Sequence, residues 1–301
     1  MPPHAFGAKA YWSSDAFATY RARVREPLDL RVAPTPPAMP ALERPDLSLH
    51  YEHRGSGPPL LLVAGIASDS FSWLPVAAPL AARFRTIMPD NRGAGRTRPQ
   101  DGPCSIDAIA DDCAALLRHL GVDRASVLGH SMGGFVAQRI AVRHPALVDR
   151  LVLVATGARA GARNAALFED MANRLEAGED RERWFRRLFE AIFTKRFLGD
   201  PPKADAVMAW SLDYPYPQSA RAFRRQAEAV AAHDGDADLA AIAVPTLVVA
   251  GREDVLFPAE ACEGFARRIP GATFVVVEGA AHAVHTEQPA AFVDAVVRFA
   301  A

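Results

Sequence analysis

The sequence has few cysteines, no excess of one charge and no long apolar run. Its three cysteines show neither CxxC nor metal-ligand spacing, which disfavours a disulfide framework and fits a reducing compartment. The 34 basic and 35 acidic residues give a formal charge of −1, so the chain lacks the basic footprint of a nucleic-acid or anionic-membrane binder. The sequence shows neither the basic start and apolar stretch typical of a signal peptide nor the roughly 18 consecutive apolar residues of a transmembrane helix. We expect a cytoplasmic monomer or homodimer that acts on small molecules.

Half of the 301 residues are apolar, so the chain can bury a large core, and one α/β domain with an insertion is favoured over two domains. Residues 1–45 differ from the rest. Apolar residues at helical spacing predict an amphipathic helix over residues 14–26, and four prolines between residues 34 and 40 indicate an extended linker. We interpret this N-terminal extension as packing on the main domain, with a dimerisation arm or a lid as the alternative.

Short apolar runs alternate with amphipathic stretches along the remaining chain. An alternating pattern from residue 47 to 53, followed by Gly55 and Gly57, predicts a half-buried strand and a first hairpin. His50 and His53 on this strand point to opposite faces and are not expected to share a metal. Buried strands are predicted at residues 60–63, 84–88, 125–130, 151–155, 246–250 and 273–277. The alternation predicts an α/β fold whose mostly parallel, doubly wound sheet has helices on both faces.

Residues 158–240 break this rhythm, because helical apolar stripes follow one another without a strand. We interpret this segment as a helical cap inserted between two parts of the core, residues 46–157 and 241–301. Its aromatic residues include Phe189, Trp210 and Tyr214, which are candidates to line an apolar substrate pocket. An aromatic stripe at helical spacing also occurs in ordinary cores, so this second interpretation stays open.

A glycine-framed serine lies between a predicted strand and a predicted helix, in the segment Gly-His-Ser-Met-Gly at residues 129–133. A serine at the apex of such a turn has a strained backbone that crowds the residues two before and two after it, and Gly129 and Gly133 fill these positions. A serine hydroxyl becomes nucleophilic when a base takes its proton, and an imidazole base needs an acid to orient it. Asp254 and His282 each follow a predicted strand end, on the same sheet edge as Ser131.

The segment Ala-Gly-Ile-Ala at residues 64–67 follows another strand end on that edge. Gly65 permits a close approach of the backbone, so the Ile66 N–H is a candidate donor to an oxyanion. A plain strand-to-helix turn explains the same residues. The glycine-rich loop at residues 90–95 lacks the spacing of a phosphate-binding loop, and Asp90 and Arg92 are expected to brace it.

Together these motifs resemble the α/β-hydrolase family from about residue 47 to residue 301. The resemblance rests on the chain order serine, aspartate, histidine and on four segments: Gly-His-Ser-Met-Gly-Gly at 129–134, Asp-Asn-Arg-Gly-Ala-Gly at 90–95, Gly-Arg-Glu-Asp at 251–254 and Gly-Ala-Ala-His at 279–282. It implies Asp254 rather than Glu253 as the acid and His282 rather than His285 as the base. It also implies the Met132 N–H as the second oxyanion donor.

Two departures narrow the expected chemistry. Many α/β-hydrolases have His-Gly before the oxyanion loop, whereas Ala64 stands at the histidine position here, so no histidine side chain can support that loop. The serine at the apex disfavours haloalkane dehalogenases and epoxide hydrolases, in which the family uses an aspartate nucleophile. His130, inside the turn, is expected to pack beneath it as a structural residue.

The sequence therefore predicts a serine hydrolase that cleaves a carboxylic ester or lactone of a small, largely apolar substrate through an acyl-enzyme on Ser131. No metal or organic cofactor is expected. One alternative is C–C bond hydrolysis, lyase or perhydrolase chemistry on the same three residues, since a fold does not fix a reaction. Another is a non-enzymatic small-molecule receptor that uses the capped pocket.

Overall fold

The computed structural model describes residues 40–301 and forms one eight-stranded sheet flanked by helices. The amphipathic helix predicted at residues 14–26 lies outside the described residues. The strands are β1 (Ala41–Glu43), β2 (Ser48–Arg54), β3 (Pro59–Val63), β4 (Arg85–Pro89), β5 (Ala125–His130), β6 (Val148–Val154), β7 (Thr246–Gly251) and β8 (Thr273–Val277).

Eleven α-helices lie in the described part of the chain. They are α1 (Leu74–Ala81), α2 (Ile106–His119), α3 (Met132–Arg143), α4 (Ala162–Glu176), α5 (Arg181–Ile192), α6 (Lys195–Leu198), α7 (Pro201–Leu212), α8 (Ala220–Ala232), α9 (Ala259–Ala266), α10 (Val284–Glu287) and α11 (Pro289–Ala300). None of these helices is long and apolar enough to cross a membrane.

The sheet has the order β1-β2-β4-β3-β5-β6-β7-β8, and all strand pairs from β4 to β8 are parallel. Successive residues of the central strands enter different hydrophobic clusters. Leu61 and Val127 belong to one cluster, whereas Leu60 and Leu128 belong to the other. Both faces of the sheet are thus covered, which explains why these strands are continuous apolar runs and confirms the predicted α/β fold.

The predicted first hairpin is wrong. Strand β2 pairs antiparallel with β1 and β4, while β3 lies between β4 and β5. Gly55 has φ +77°, and a Cβ there would stand 2.2 Å from the carbonyl oxygen of Phe84, so the turn passes closely against the start of β4. Strand β1 lies within the predicted N-terminal extension. Its Leu42 packs against the core, which gives this short strand an apolar contact.

Helix α2 forms as its sequence pattern predicts. The Ser105 hydroxyl accepts a hydrogen bond of 3.1 Å from the N–H of Ala108, and Gly121, with φ +65°, follows the helix end. The buried face includes Ile109, Cys113 and Leu116. This face packs on the sheet, and the neighbouring strand β5 leads directly to the serine turn.

Between β6 and β7 the chain forms five helices, α4 to α8, and no strand intervenes in this described stretch. These helices belong to the segment 158–240, which we call the cap. The cap contacts loops at the carboxyl edge of the sheet: Tyr214 bonds to Asp69 after β3, and the Ile192 carbonyl accepts a hydrogen bond of 3.0 Å from the N–H of Ala283 after β8. The loops that carry the predicted site residues therefore lie under these helices.

Candidate active site

Ser131 lies at the turn where β5 ends and α3 begins, and it has φ 55° and ψ −119°. The surroundings fix this strained conformation. Its N–H donates to the Val154 carbonyl at 2.9 Å, and the Thr156 hydroxyl donates to its carbonyl at 2.9 Å. A Cβ at Gly129 would stand 2.0 Å from the carbonyl oxygen of Gly133. The turn therefore has no room for a side chain at that position, as the sequence pattern predicts.

Asp254 and His282 meet at the same edge. His282 Nδ1 lies 2.9 Å from Asp254 Oδ2, and the two residues are 3% and 4% exposed, respectively. The other carboxylate oxygen, Asp254 Oδ1, accepts hydrogen bonds from the N–H groups of Leu256 at 2.8 Å and Phe257 at 3.0 Å. With Nδ1 donating to the carboxylate, Nε2 of His282 is left as the proton acceptor. The adjacent Glu253 is exposed.

His130 holds Ser131 beside this pair. Its Nε2 lies 2.9 Å from the His282 carbonyl oxygen, and the two imidazole centroids are 4.8 Å apart. Phe257 stacks on the His282 ring at 5.8 Å. Asp254 thus contacts His282 directly, whereas Ser131 is linked to His282 through the side chain of the preceding residue, His130. The Ser131 hydroxyl makes no hydrogen bond with the residues described, and a serine–histidine contact is often loose before substrate binds.

The oxyanion loop, residues 64–67, passes directly over the serine turn. A Cβ at Gly65 would stand 3.2 Å from the Cβ of Ser131, so a side chain there would require the serine turn to shift by a few tenths of an ångström. Ile66 follows Gly65 in this loop. On the other side, Met132 is the first residue of α3, where an N–H has no partner within the helix. Each predicted N–H donor therefore directly follows a residue of this close approach, Ile66 after Gly65 and Met132 after Ser131.

A cavity of about 240 Å³ lies between the cap and the core. Its wall includes all three of the predicted pocket residues, Phe189, Trp210 and Tyr214, together with further aromatic side chains of the cap. It also includes Ala67, His130 and Ala283, each the immediate neighbour of a predicted catalytic or oxyanion residue. The cavity thus abuts the serine turn, and its wall is mostly apolar.

Asp69 is a polar residue of this wall that sequence patterns missed. It is 6% exposed, and its Oδ2 accepts a hydrogen bond of 2.5 Å from the Tyr214 hydroxyl. Burial and the nearby Asp90 carboxylate raise the pKa of Asp69 to about 7. The sequence feature that could have identified Asp69 is its position in the loop after β3, because ligands bind at the loops that follow parallel strands. The link to Tyr214 spans 145 residues of sequence, so no local pattern reveals it.

Two further histidines lie beside His282. Burial lowers the pKa of His285 to about 3, and burial with the neighbouring imidazoles holds the pKa of His130 well below its ordinary value. Both rings are therefore neutral near pH 7, and the Asp254 carboxylate bonds to His282. His285 packs against Trp73 with ring centroids 4.8 Å apart. His130 is packed within the turn as expected, and it also borders the cavity.

The loop at residues 90–95 is braced as the sequence suggests. Asp90 accepts hydrogen bonds from the N–H groups of Ser70 at 3.0 Å and Arg96 at 2.8 Å, and Arg92 pairs with the buried Asp112 at 2.5 Å. Neither Asp90 nor Arg92 lines the cavity. Across residues 40–301, no three histidine, cysteine, aspartate or glutamate side chains cluster in a way that would hold a metal ion.

The sheet order, the serine turn and the aspartate–histidine pair are those of an α/β hydrolase. The family model described as alpha/beta hydrolase fold matches residues 58–289, and the chain belongs to this family. It is an enzyme of the α/β-hydrolase type.

Several known proteins are similar to the chain over most of its length. A protein of Azorhizobium caulinodans named "Putative carbamate hydrolase RutD" is 31% identical over 261 residues, which cover 87% of this chain and 98% of that one. A hydrolase from Pseudomonas aeruginosa PA01 is 30% identical with a TM-score of 0.80, covering 88% and 99% of the two chains. The enol-lactonase from Burkholderia xenovorans LB400 is 27% identical with a TM-score of 0.79, covering 86% and 99%.

Proposed function

We propose that the protein is a serine hydrolase that cleaves a carboxylic ester or lactone of a small, largely apolar substrate. The observation that carries the proposal is the 2.9 Å contact between His282 Nδ1 and Asp254 Oδ2, beside the strained Ser131. The proposed site therefore combines a basic imidazole nitrogen, Nε2 of His282, with a serine hydroxyl that can give up its proton. That combination is what acyl transfer to serine requires.

The reaction proceeds by two acyl transfers. The Ser131 Oγ forms a bond to the substrate carbonyl carbon, and His282 Nε2 takes the hydroxyl proton. The carboxylate of Asp254 orients the imidazole and stabilises its cation. The tetrahedral oxyanion accepts hydrogen bonds from the N–H groups of Ile66 and Met132. Collapse of this intermediate breaks the bond to the alkoxy oxygen, to which His282 returns the proton, and a water molecule then releases the acid from Ser131 by the same steps in reverse.

The cavity supports a substrate that is mostly apolar. Aromatic side chains form much of its wall, and the hydrogen-bonded pair of Asp69 and Tyr214 is among its polar groups. An apolar pocket with few polar groups binds small ligands by burial and orients them with those groups. The name of the Burkholderia enol-lactonase supports a lactone, and the name of the Azorhizobium protein makes a carbamate the next acyl compound to test.

The proposal is tested by comparing Ser131→Ala with Ser126→Ala on a panel of esters, enol-lactones, carbamates and diketones. Ser126 is a buried serine in β5, the strand that leads to Ser131, and serves as the control. We expect Ser131→Ala to lower turnover by about 10⁴- to 10⁶-fold and Ser126→Ala to keep it. Near-full turnover by Ser131→Ala would refute the mechanism. Cleavage of diketones alone would favour C–C hydrolysis, and binding without turnover by the wild type would favour a receptor.

A further inference from the structure

The oxyanion loop is held at both of its ends. At its start, the Asn91 Nδ2 donates a hydrogen bond of 3.0 Å to the Ala64 carbonyl. At its end, Ala67 has φ +57°, a conformation that costs energy for any residue other than glycine and persists where the surroundings fix it. The N–H of this residue donates to Gln226 Oε1 at 3.3 Å.

Gln226 belongs to helix α8 of the cap and is 0% exposed. Its amide is oriented by three hydrogen bonds. The Oε1 accepts from the N–H of Ala67 and from Gln218 Nε2 at 3.0 Å, and the Nε2 donates to the Arg92 carbonyl at 2.8 Å. If the amide were flipped, its NH2 group would face the Ala67 and Gln218 donors and its oxygen would face the Arg92 carbonyl. Only the observed orientation therefore satisfies this buried group.

We propose that Gln226 is a positioning residue through which the cap sets the oxyanion hole. By holding the Ala67 N–H, it fixes the backbone that follows Ile66 and thereby keeps the Ile66 N–H directed at the oxyanion. The inference rests on the proposed function, in which Ile66 is an oxyanion donor. It follows that the hole is complete only when the cap is seated on the core.

A purely structural role for Gln226 predicts a different kinetic result. If the hydrogen bonds of Gln226 only stabilised the packing of cap on core, their loss would lower the folded fraction or loosen the cavity and so weaken substrate binding. Loss of a positioned oxyanion donor affects the transition state, in which the oxyanion carries its charge, and leaves ground-state binding largely unchanged. A fall in kcat at constant KM, with an equal loss of affinity for an oxyanion mimic, therefore identifies the positioning role.

The test uses Gln226→Met, a variant of similar size that cannot form these hydrogen bonds. Steady-state hydrolysis of p-nitrophenyl butyrate is measured together with inhibition by an alkyl trifluoromethyl ketone, to which Ser131 adds to form a hemiketal oxyanion. We expect kcat to fall by about 10- to 100-fold, the inhibition constant to rise in parallel and KM to stay within about twofold.

Gln100→Met is the matched control. The Gln100 amide also ties core to cap, accepting from the Ser219 N–H at 2.8 Å and donating to the Pro217 carbonyl at 3.3 Å, without contacting the oxyanion loop. We expect this variant to keep kcat and the inhibition constant within about twofold. Thermal unfolding of both variants verifies that they are folded.

Unchanged kcat and inhibition constant in folded Gln226→Met would overturn the inference, and so would equal losses in both variants. If Gln226→Met does not fold, Gln226→Asn replaces it, since the shorter amide cannot reach Ala67 and Arg92 together, and the same outcomes apply. Ser131→Ala is assayed in parallel. Wild-type turnover by that variant would instead refute the proposed function, so the two failures are distinguishable.

Discussion

Three non-glycine residues within residues 40–301 have positive φ: Ala67, Ser131 and Ala155. Each follows a strand end, after β3, β5 and β6 respectively, and these strands are adjacent in the sheet. Backbone strain is therefore concentrated at one edge, where the proposed nucleophile and oxyanion loop lie. Strained residues persist where neighbouring groups fix them, and such places are commonly functional.

The glycine at the start of the serine turn gives a first prediction. Gly129→Ala places a Cβ 2.0 Å from the Gly133 carbonyl oxygen, so the turn must shift. We expect a loss of about 1–3 kcal/mol in the free energy of unfolding and a large loss of turnover, measured by urea unfolding and ester hydrolysis. Gly264→Ala is the control, because a Cβ in helix α9 meets no atom within 4 Å there, and we expect it to stabilise the protein by about 0.5–1 kcal/mol. Equal effects of the two substitutions would contradict the account of the turn.

Asp69 gives a second prediction, on pH. Asp90, Arg96 and Tyr214 face this carboxyl, and its pKa is raised from 3.8 to about 7. Between these values the folded protein holds a proton that the unfolded chain releases, so this group's contribution to the free energy of unfolding falls as pH rises across that interval. Asp69→Asn abolishes the titration. We expect the melting temperature of the variant, relative to wild type, to increase steadily from about pH 4 to about pH 7. A constant difference over that range would show that Asp69 does not titrate there.

At the scale of elements, the spacing of apolar residues predicts individual strands and helices, because that spacing is a local property of the sequence. The central strands were predicted from apolar spacing, and helices α2 and α11 begin where the sequence has typical start signals, a capping Ser105 and a first-turn Pro289. The pairing of β2 with β1 and β4 was not predicted. Its sequence is compatible with a hairpin to β3, but β3 pairs with β4 and β5, and that choice depends on burial across the whole sheet.

Helix α10 gives a third prediction, through its last residue. Glu287 Oε1 accepts hydrogen bonds from the Thr194 N–H at 3.0 Å and hydroxyl at 2.7 Å, and Oε2 accepts from the Ala281 N–H at 2.6 Å. It thus ties the cap to the loop that carries His282. We expect Glu287→Ala to cost about 1–3 kcal/mol in the free energy of unfolding and to lower kcat by about tenfold or more, measured by urea unfolding and ester hydrolysis.

Glu287→Gln is the matched variant for that experiment. It keeps an acceptor oxygen for the Thr194 groups or for the Ala281 N–H, although not for both. We expect an intermediate loss of kcat and of stability. If Glu287→Ala and wild type have the same kcat, the contact does not position the loop of His282.

At the scale of the molecule, the site combines side chains that are distant in sequence. Ser131, Asp254 and His282 were predicted from short motifs because each motif follows a strand end, and parallel strands place their carboxyl ends on one edge. The cavity above them depends on how the cap packs, and periodicity does not encode cavity shape. Asp69 and Gln226 were missed for that reason, since their partners lie 145 and 159 residues away in sequence.

The central claim is that the fold activates Ser131 through His282. Mass spectrometry of the protein treated with a fluorophosphonate tests it directly, because this reagent phosphonylates an activated serine. We predict one label per chain in the wild type, on the peptide that contains Ser131, and no label in His282→Ala over the same time. Labelling of another residue, or labelling of Ser131 at the same rate in His282→Ala, would contradict the account.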